Sequence, residues 1–341
     1  MSVQHGSKDS SLLAVHDECI EKMPVLVLNV HSRCNCRCLM CDIWKRNETT
    51  EITAATLERH RDSLRRLRVE WVVLTGGEPL MHSDLRALCV FLRGLDVRLT
   101  LLTTGLLLSR RAAEVATLFD DVIVSLDGPA PLHDSIRRVK GSFDLIRSGV
   151  AEIRSRRAEI RITARTTVQR SNYTSLRATI GAARELRLDG ISFLAADLTS
   201  EAFNRPLLWP PEKQDKVGLS VEEIPALEEE LEALIVDFAG DIRGGYIAES
   251  PAKLRRIARH FKARLGLADA VSPRCNAPWV SAVVETNGDV RPCFFHQPIG
   301  NLQDGVFDEI LNGEAAQDFR RRLDVDSNPV CRNCVCSLHR A

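Results

Sequence analysis

No stretch of this 341-residue chain is apolar for long enough to span a bilayer. The start, Met1 to Val15, lacks the basic segment followed by an apolar run that marks a secretory signal. An excess of one charge is missing too, with 46 Lys and Arg against 46 Asp and Glu. No global field draws such a chain to nucleic acid or to an anionic membrane, so neither partner is expected, and the location expected is cytoplasmic. A hydrophobic content of 44% with 27% charge describes a chain able to bury a large core. Its length suits one large catalytic domain with a smaller appendage.

Cysteine is what the chain does have. Eleven of them in such a sequence point to metal or redox chemistry rather than disulfides. Five lie in the first 41 residues and five in the last 67, with Cys89 alone between. Cys89 sits in an apolar, helix-like run and reads as a small buried hydrophobe. Cys19 precedes the first strand and is given no role. Cys34, Cys38 and Cys41 follow a short apolar strand with the spacing C-x3-C-x2-C. Both zinc and iron–sulfur clusters usually take four protein ligands, so three thiolates are one too few to close either site. A cubane held by three thiolates keeps one iron open, which points to catalysis rather than support. Cys36 fits no ligand spacing and reads as a bystander.

The rest of the first half alternates strands and helices. Strands are expected at 25–30, 71–75, 97–102, 121–125, 160–168 and 191–195. Helices are expected between them at 53–67, 83–95, 110–118, 143–156 and 175–188. That rhythm predicts an α/β fold with a parallel sheet and right-handed crossovers. Six units are too few for a full eight-unit barrel, so a partial, open (β/α)6 barrel is expected over residues 24–197, after a polar lead-in at 1–23. Residues 198–272 form a helical connecting segment, with a loop bearing Trp209-Pro210-Pro211 and a capping box at Ser220-Val221-Glu222-Glu223. Its acidic helix and the basic helix opened by Ser250-Pro251 read as two solvated faces that pair. In the last unit, 273–341, Asn287-Gly288 between two apolar strands predicts a hairpin with a type I′ turn, followed by a helix from Val306 to about Leu323.

The unusual residues fall at strand ends. The cysteine loop follows strand 1, Gly76-Gly77-Glu78-Pro79 strand 2, Thr103-Thr104-Gly105 strand 3, and Leu126-Asp127-Gly128-Pro129 strand 4. Catalytic residues of α/β barrels gather on that rim.

The cysteine loop, with Cys34-Asn35 at its opening and Trp44 after its last cysteine, resembles the cluster-binding loop of the radical S-adenosylmethionine (radical SAM) enzymes. The resemblance covers about residues 25–197. It implies a catalytic 4Fe–4S cluster on Cys34, Cys38 and Cys41, with S-adenosylmethionine chelating the open iron. Cleavage of the cofactor would yield a 5′-deoxyadenosyl radical that takes a hydrogen atom from substrate. Met40 stands where the family often has an aromatic and is counted with the cofactor-binding residues. Gly76, Gly77, Glu78 and Pro79 resemble the motif that binds the methionyl amino group, where glycine lets the backbone approach without a Cβ clash. Ser125 and Asp127 resemble a Ser-x-Asp-Gly element whose serine contacts the cofactor, although Asp127 also suits capping the turn at Gly128. Leu194 matches a position whose backbone meets the adenine. Thr104 and Arg165 are the substrate-side candidates. An inward Arg165 needs an anionic partner, and an outward, solvated one is equally consistent with the pattern.

The end of the chain resembles the short, or twitch, form of the SPASM extension of these enzymes. The resemblance implies one auxiliary 4Fe–4S cluster on Cys275, Cys293, Cys331 and Cys334, with Cys336 as the alternative to Cys334; spacing alone also admits a tetrathiolate zinc site. The implied role is to accept an electron from the substrate radical. Partners implied are an electron donor such as flavodoxin or ferredoxin and a small-molecule or peptide substrate. The short lead-in carries no leader-binding domain, which tilts the expectation toward oxidation of a sugar, a cyclitol or a natural-product precursor. The alternative is a ribosomal-peptide maturase forming a crosslink, thioether or epimer, and the remote one a non-catalytic metal scaffold.

Overall fold

The computed structural model describes residues 18–200, 202 and 208–340. Six parallel strands form the barrel: β1 (Val25–His31), β2 (Trp71–Gly76), β3 (Arg98–Thr103), β4 (Asp121–Ser125), β5 (Arg161–Val168) and β6 (Ile191–Ala195). They lie side by side in chain order, as right-handed crossovers dictate. Side chains alternate across each strand. Leu26, Leu28, Val72, Leu74, Leu99, Leu101, Val122, Val124, Ile162 and Ala164 are fully buried on one parity. The other parity carries Asn29, His31, Thr75, Ser125, Arg165 and Thr167, which face the barrel's interior cavity. The register pairs Asn29 with Thr75, Ser125 with Arg165, and Thr167 with Leu194, so these rim residues are neighbours.

The hairpin β7 (Ser281–Val284) and β8 (Asp289–Arg291), with the short β9 (Gly300–Asn301), extends the same sheet. β7 runs parallel to β1, with Val25 opposite Ser281 and Leu28 opposite Val284. Asn29 Nδ2 donates to Glu285 Oε2 at 2.7 Å and ties the hairpin turn to the end of β1. The turn differs from the type I′ expectation. Gly288 N donates to Glu285 O at 2.9 Å and Glu285 N to Asp289 O at 2.9 Å. Gly288 has φ +90° while Asn287 keeps a negative φ. This is a turn followed by a glycine bulge, and only one of the two residues adopts the left-handed region.

Two expected helices are broken in the middle. The 53–67 segment divides into Ala54–Glu58 and Arg61–Arg66. Ser63 and Arg66 of the second piece bind Asp308 at 2.5 and 2.7 Å, a contact that sequence periodicity cannot show. The 306–323 segment divides at Gly313 into Phe307–Asn312 and Glu314–Arg322. A further helix, Ala130–Arg137, follows β4 and was not expected from the pattern. The capping box at Ser220 and the Ser250 cap are both formed. They open Ile224–Asp237 and Pro251–Arg264, which pair through Glu232–Arg255 and Glu228–Lys262. Part of the loop expected before Pro211 lies outside the described residues. Among the described residues no helix is long and apolar enough to cross a membrane.

Candidate active site

A cavity of about 450 Å³ occupies the C-terminal rim of the barrel. Cys34, Cys38, Met40 and Cys41 line it together with Gly76, Gly77, Thr104, Ser125, Arg165 and Leu194. Cys36 is buried and does not line it.

The cysteine loop is clamped at several points. Trp44 Nε1 donates to Cys41 O at 2.9 Å and to Cys38 O at 3.3 Å. Ser32 Oγ donates to Glu48 O at 2.8 Å and accepts from Thr50 N at 2.9 Å, closing the loop's base. Asp42 accepts from Trp209 Nε1 at 2.8 Å and from Lys213 Nζ at 2.5 Å, which pins the loop to the connecting segment. Gly77 N donates to His31 O and Glu78 N to Arg33 O, at 2.8 and 2.9 Å. These bonds fix the glycine edge against the residue just before Cys34.

Arg137 stands behind the triad, its Nη1 3.6 Å from Cys38 Sγ. Its Nε lies 2.6 Å from Asp127 Oδ2. That contact is out of line for a hydrogen bond, so the attraction is coulombic. Burial opposes the Arg137 charge, but Asp127 and Cys38 outweigh it and hold its pKa above the usual value. A hydrogen bond from Cys36, together with the Arg137 charge, draws Cys38 toward the thiolate against the effect of burial. Three thiols on one wall, one already biased toward the anionic form, fit a cluster bound through three thiolates.

Three residues of the expected cofactor-binding set do not line this cavity. The Glu78 side chain is fully buried and does not reach the cavity. It accepts from Leu80 N, Thr103 Oγ1, Thr104 N and Thr104 Oγ1 at 3.0, 2.8, 2.7 and 2.6 Å. With four donors satisfied, the carboxylate braces the ends of β2 and β3 and is not free to receive an ammonium. Pro79 is buried in the short turn beside it. Asp127 is also buried, committed to Arg137 and to Thr167 N at 3.1 Å. The glycines are needed for a different contact as well. A Cβ on Gly77 would lie 1.9 Å from Arg33 O, and Gly76 holds φ +124° with its Cβ position 2.8 Å from His31 O. Close approach of the cysteine loop itself requires them.

Thr104 stays on the cavity wall, its Oγ1 2.9 Å from Asn35 Oδ1. Arg165 points inward, and its Nε donates to Ser192 Oγ at 2.7 Å. Sequence reading missed Arg137, whose one signal was a basic residue shortly after the Asp-Gly-Pro turn.

The C-terminal cysteines gather beside this cavity. Asn276 draws the tail over Cys275, with N donating to Leu338 O at 2.9 Å and Nδ2 to Arg340 O at 2.6 Å. Burial pushes the Cys293 and Cys331 thiols up to about 11 and about 12, with neighbouring thiols adding to the effect. Cys275 is among the neighbours that raise Cys331 and Cys334. Cys336 lines the cavity, whereas Cys275, Cys293, Cys331 and Cys334 do not.

Comparison with known proteins agrees with this geometry. Residues 28–179 match the model of the radical SAM superfamily, and residues 275–335 match that of the SPASM iron–sulfur cluster-binding domain. The chain thus carries a radical SAM domain followed by a SPASM domain. It is therefore an enzyme whose cofactors are 4Fe–4S clusters and S-adenosylmethionine. It is 28% identical to the Fe-coproporphyrin III synthase of Methanosarcina barkeri, over 85% of this chain and 74% of that protein. With the PqqA peptide cyclase of Ruegeria pomeroyi it shares 27% identity over 89% of this chain and 77% of the relative. The structure of Streptococcus suis SuiB bound to S-adenosylmethionine has the same fold, with a TM-score of 0.64 at 14% identity, covering 94% of this chain and 74% of SuiB.

Proposed function

We propose that Cys34, Cys38 and Cys41 hold the catalytic cluster, that Cys275, Cys293, Cys331 and Cys334 hold the auxiliary one, and that the enzyme oxidatively modifies a peptide side chain. When bound, the catalytic cluster supplies the electron that splits S-adenosylmethionine into methionine and the hydrogen-abstracting 5′-deoxyadenosyl radical. The chain's own residues prepare the site for it. Trp44 and Ser32 fix the loop, Arg137 offsets thiolate charge, and Gly76 and Gly77 let the loop backbone pack closely against the rim. Ser125 and the Leu194 backbone offer contacts to the nucleoside, while Thr104 and Arg165 face the substrate. A small reductase such as flavodoxin or ferredoxin would deliver the electron.

One observation carries the substrate class. Leu102, Leu194, Phe294, Phe295 and Val335 form an apolar wall of the cavity. The same cavity also presents Asn29, Thr75, Ser125, Arg165 and Thr167, polar groups that would pair with the substrate's polar atoms. An amino-acid side chain suits the apolar wall, and the likeness to a peptide cyclase supports that reading over the sugar or cyclitol. A tetrapyrrole is the second reading, favoured by the likeness to the Fe-coproporphyrin III synthase and by the same wall. The deciding experiment is anaerobic incubation of the reconstituted enzyme with S-adenosylmethionine, dithionite and deuterated substrate. Deuterium from a peptide encoded beside the gene should appear in 5′-deoxyadenosine. Transfer only from a tetrapyrrole carboxylate side chain would replace the peptide by the second reading. Absence of 5′-deoxyadenosine under every condition would sink both.

A further inference from the structure

A second cavity, of about 250 Å³, lies on the far side of Arg165, Leu194 and Cys336, which line both spaces. Five cations face it: Arg165, Lys253, Arg256, Arg259 and Arg332. Among the described residues none of the five forms an ion pair with a carboxylate. The contrast on one helix is sharp. On Pro251–Arg264, Arg255, Lys262 and Arg264 pair with Glu232, Glu228 and Asp215. Lys253, Arg256 and Arg259, spaced by three on another face, turn to the cavity.

Neutral acceptors hold the arginines in place. Arg256 donates to Cys334 O at 3.2 Å and Cys336 O at 3.4 Å. Arg259 donates to Asp269 O at 3.2 Å and Arg332 to Ala270 O at 2.9 Å. Carbonyl oxygens orient a guanidinium without cancelling its charge. Glu249 is the one carboxylate on the wall. It accepts from Phe193 N at 2.8 Å; burial pushes its pKa up, while the charges of Arg165 and Lys253 draw it down.

We propose that this second cavity is a binding subsite for an oxyanion, a carboxylate or phosphate group borne by the substrate, whose reacting carbon would extend past Arg165 into the larger cavity. Anion binding itself follows from the cations; the link to substrate rests on the reading of the larger cavity given above. Several fixed donors around one small volume are what an oxyanion requires. The volume is too small for a nucleic-acid strand and suits one acidic group with its first carbons.

The rival account is that the cations only balance the thiolates of Cys334 and Cys336. Calorimetric titration of the reconstituted enzyme with citrate and, separately, with inorganic pyrophosphate distinguishes the two. Lys253 and Arg259 are exposed at the mouth, so the double variant Lys253→Gln/Arg259→Gln keeps the core intact. Arg255→Gln, on the paired face, is the control. The expected result is saturable binding that weakens with added salt. It should fall about tenfold or more in the double variant and stay unchanged in the control. Tighter citrate assigns a carboxylate arm, and tighter pyrophosphate a phosphate arm. If neither anion saturates the parent enzyme, or the double variant binds like the parent, the subsite is refuted. Iron lost from the double variant while the parent binds no anion would assign the cations to the cluster. Citrate binding by an enzyme that makes no 5′-deoxyadenosine would leave the subsite standing and remove only its link to radical chemistry.

Discussion

Replacing Gly77 by Ala tests why the glycine edge is there. The new Cβ would lie 1.9 Å from Arg33 O, 2.4 Å from Arg33 C and 3.1 Å from Arg33 N. A carbon–oxygen contact normally rests near 3.3 Å, so the two backbone segments must part by about 1.4 Å. Neither partner is a flexible side chain. The bond from Glu78 N to Arg33 O, 2.9 Å long, runs beside this contact and would be lost at such a separation. Overpacking of this kind costs about 1–3 kcal/mol, and the broken bond adds about 1 kcal/mol. The expected destabilisation is therefore about 2–4 kcal/mol. Arg33 adjoins Cys34, so the displacement passes straight to the cysteine loop. A shift of about 1 Å at reacting groups can cost on the order of a hundredfold in rate. Thermal unfolding, iron content and the rate of 5′-deoxyadenosine formation are the measurements. A matched control is Gly181→Ala in the helix Leu176–Glu185, whose Cβ would meet nothing within 4 Å. That change should be neutral or stabilise by about 0.5–1 kcal/mol. If Gly77→Ala unfolds with the parent and cleaves S-adenosylmethionine at the parental rate, the packing account is wrong.

Other outcomes follow from the same geometry. Asp127→Asn leaves the Arg137 charge buried without its partner, at a cost of about 3 kcal/mol, or roughly 6 °C in Tm. Adding Arg137→Met should restore most of the loss, and failure of that rescue would count against a buried pair. Replacing Cys34, Cys38 and Cys41 by Ala should lower iron from about eight to about four atoms per chain and abolish S-adenosylmethionine cleavage, with full iron retention as the contrary result. His133 is buried and His260 half-buried, and both are held down to about 4, desolvation being the main cause. Each lies below its unfolded value, so the unfolded chain binds more protons between pH about 6.5 and about 4. The stability they contribute is complete above that window and declines through it as pH falls, by on the order of 3 kcal/mol each. Urea melts of the His260→Phe variant across that range should show a flatter decline than the parent, and parallel curves would contradict the assignment.

Much of this was legible in the residues themselves. The apolar runs of β1 to β4, punctuated by glycine turns, specify strands because a parallel strand under helices must be apolar on its covered face. The alternation of Ile162, Ala164, Thr166 and Val168 in β5 left Arg165 and Thr167 on the other face by parity. The triad and the Gly-Gly-Glu-Pro run could be placed on one rim, since strand ends in such a barrel share a side. The caps at Ser220 and Ser250 depend on residues three apart and were equally readable.

Only the tertiary structure decided which groups at that rim face the cavity. Glu78 and Asp127 look like ligands in a motif, yet Thr103, Thr104, Thr167 and Arg137 occupy their oxygens, and those partners come from other strands and helices. The use of Gly77 depends on a backbone 44 residues earlier in the chain. The helix breaks near His60 and at Gly313 answer contacts such as Ser63 with Asp308 and Ile20 with Asn312, which no local propensity encodes. The pairing of β7 with β1 joins residues 256 apart in the chain, and nothing local in either strand names the other as its neighbour. The basic helix shows the same division most clearly. Its charge could be read from sequence, but which cations would meet carboxylates and which would be left facing a cavity was set by the elements packed around it.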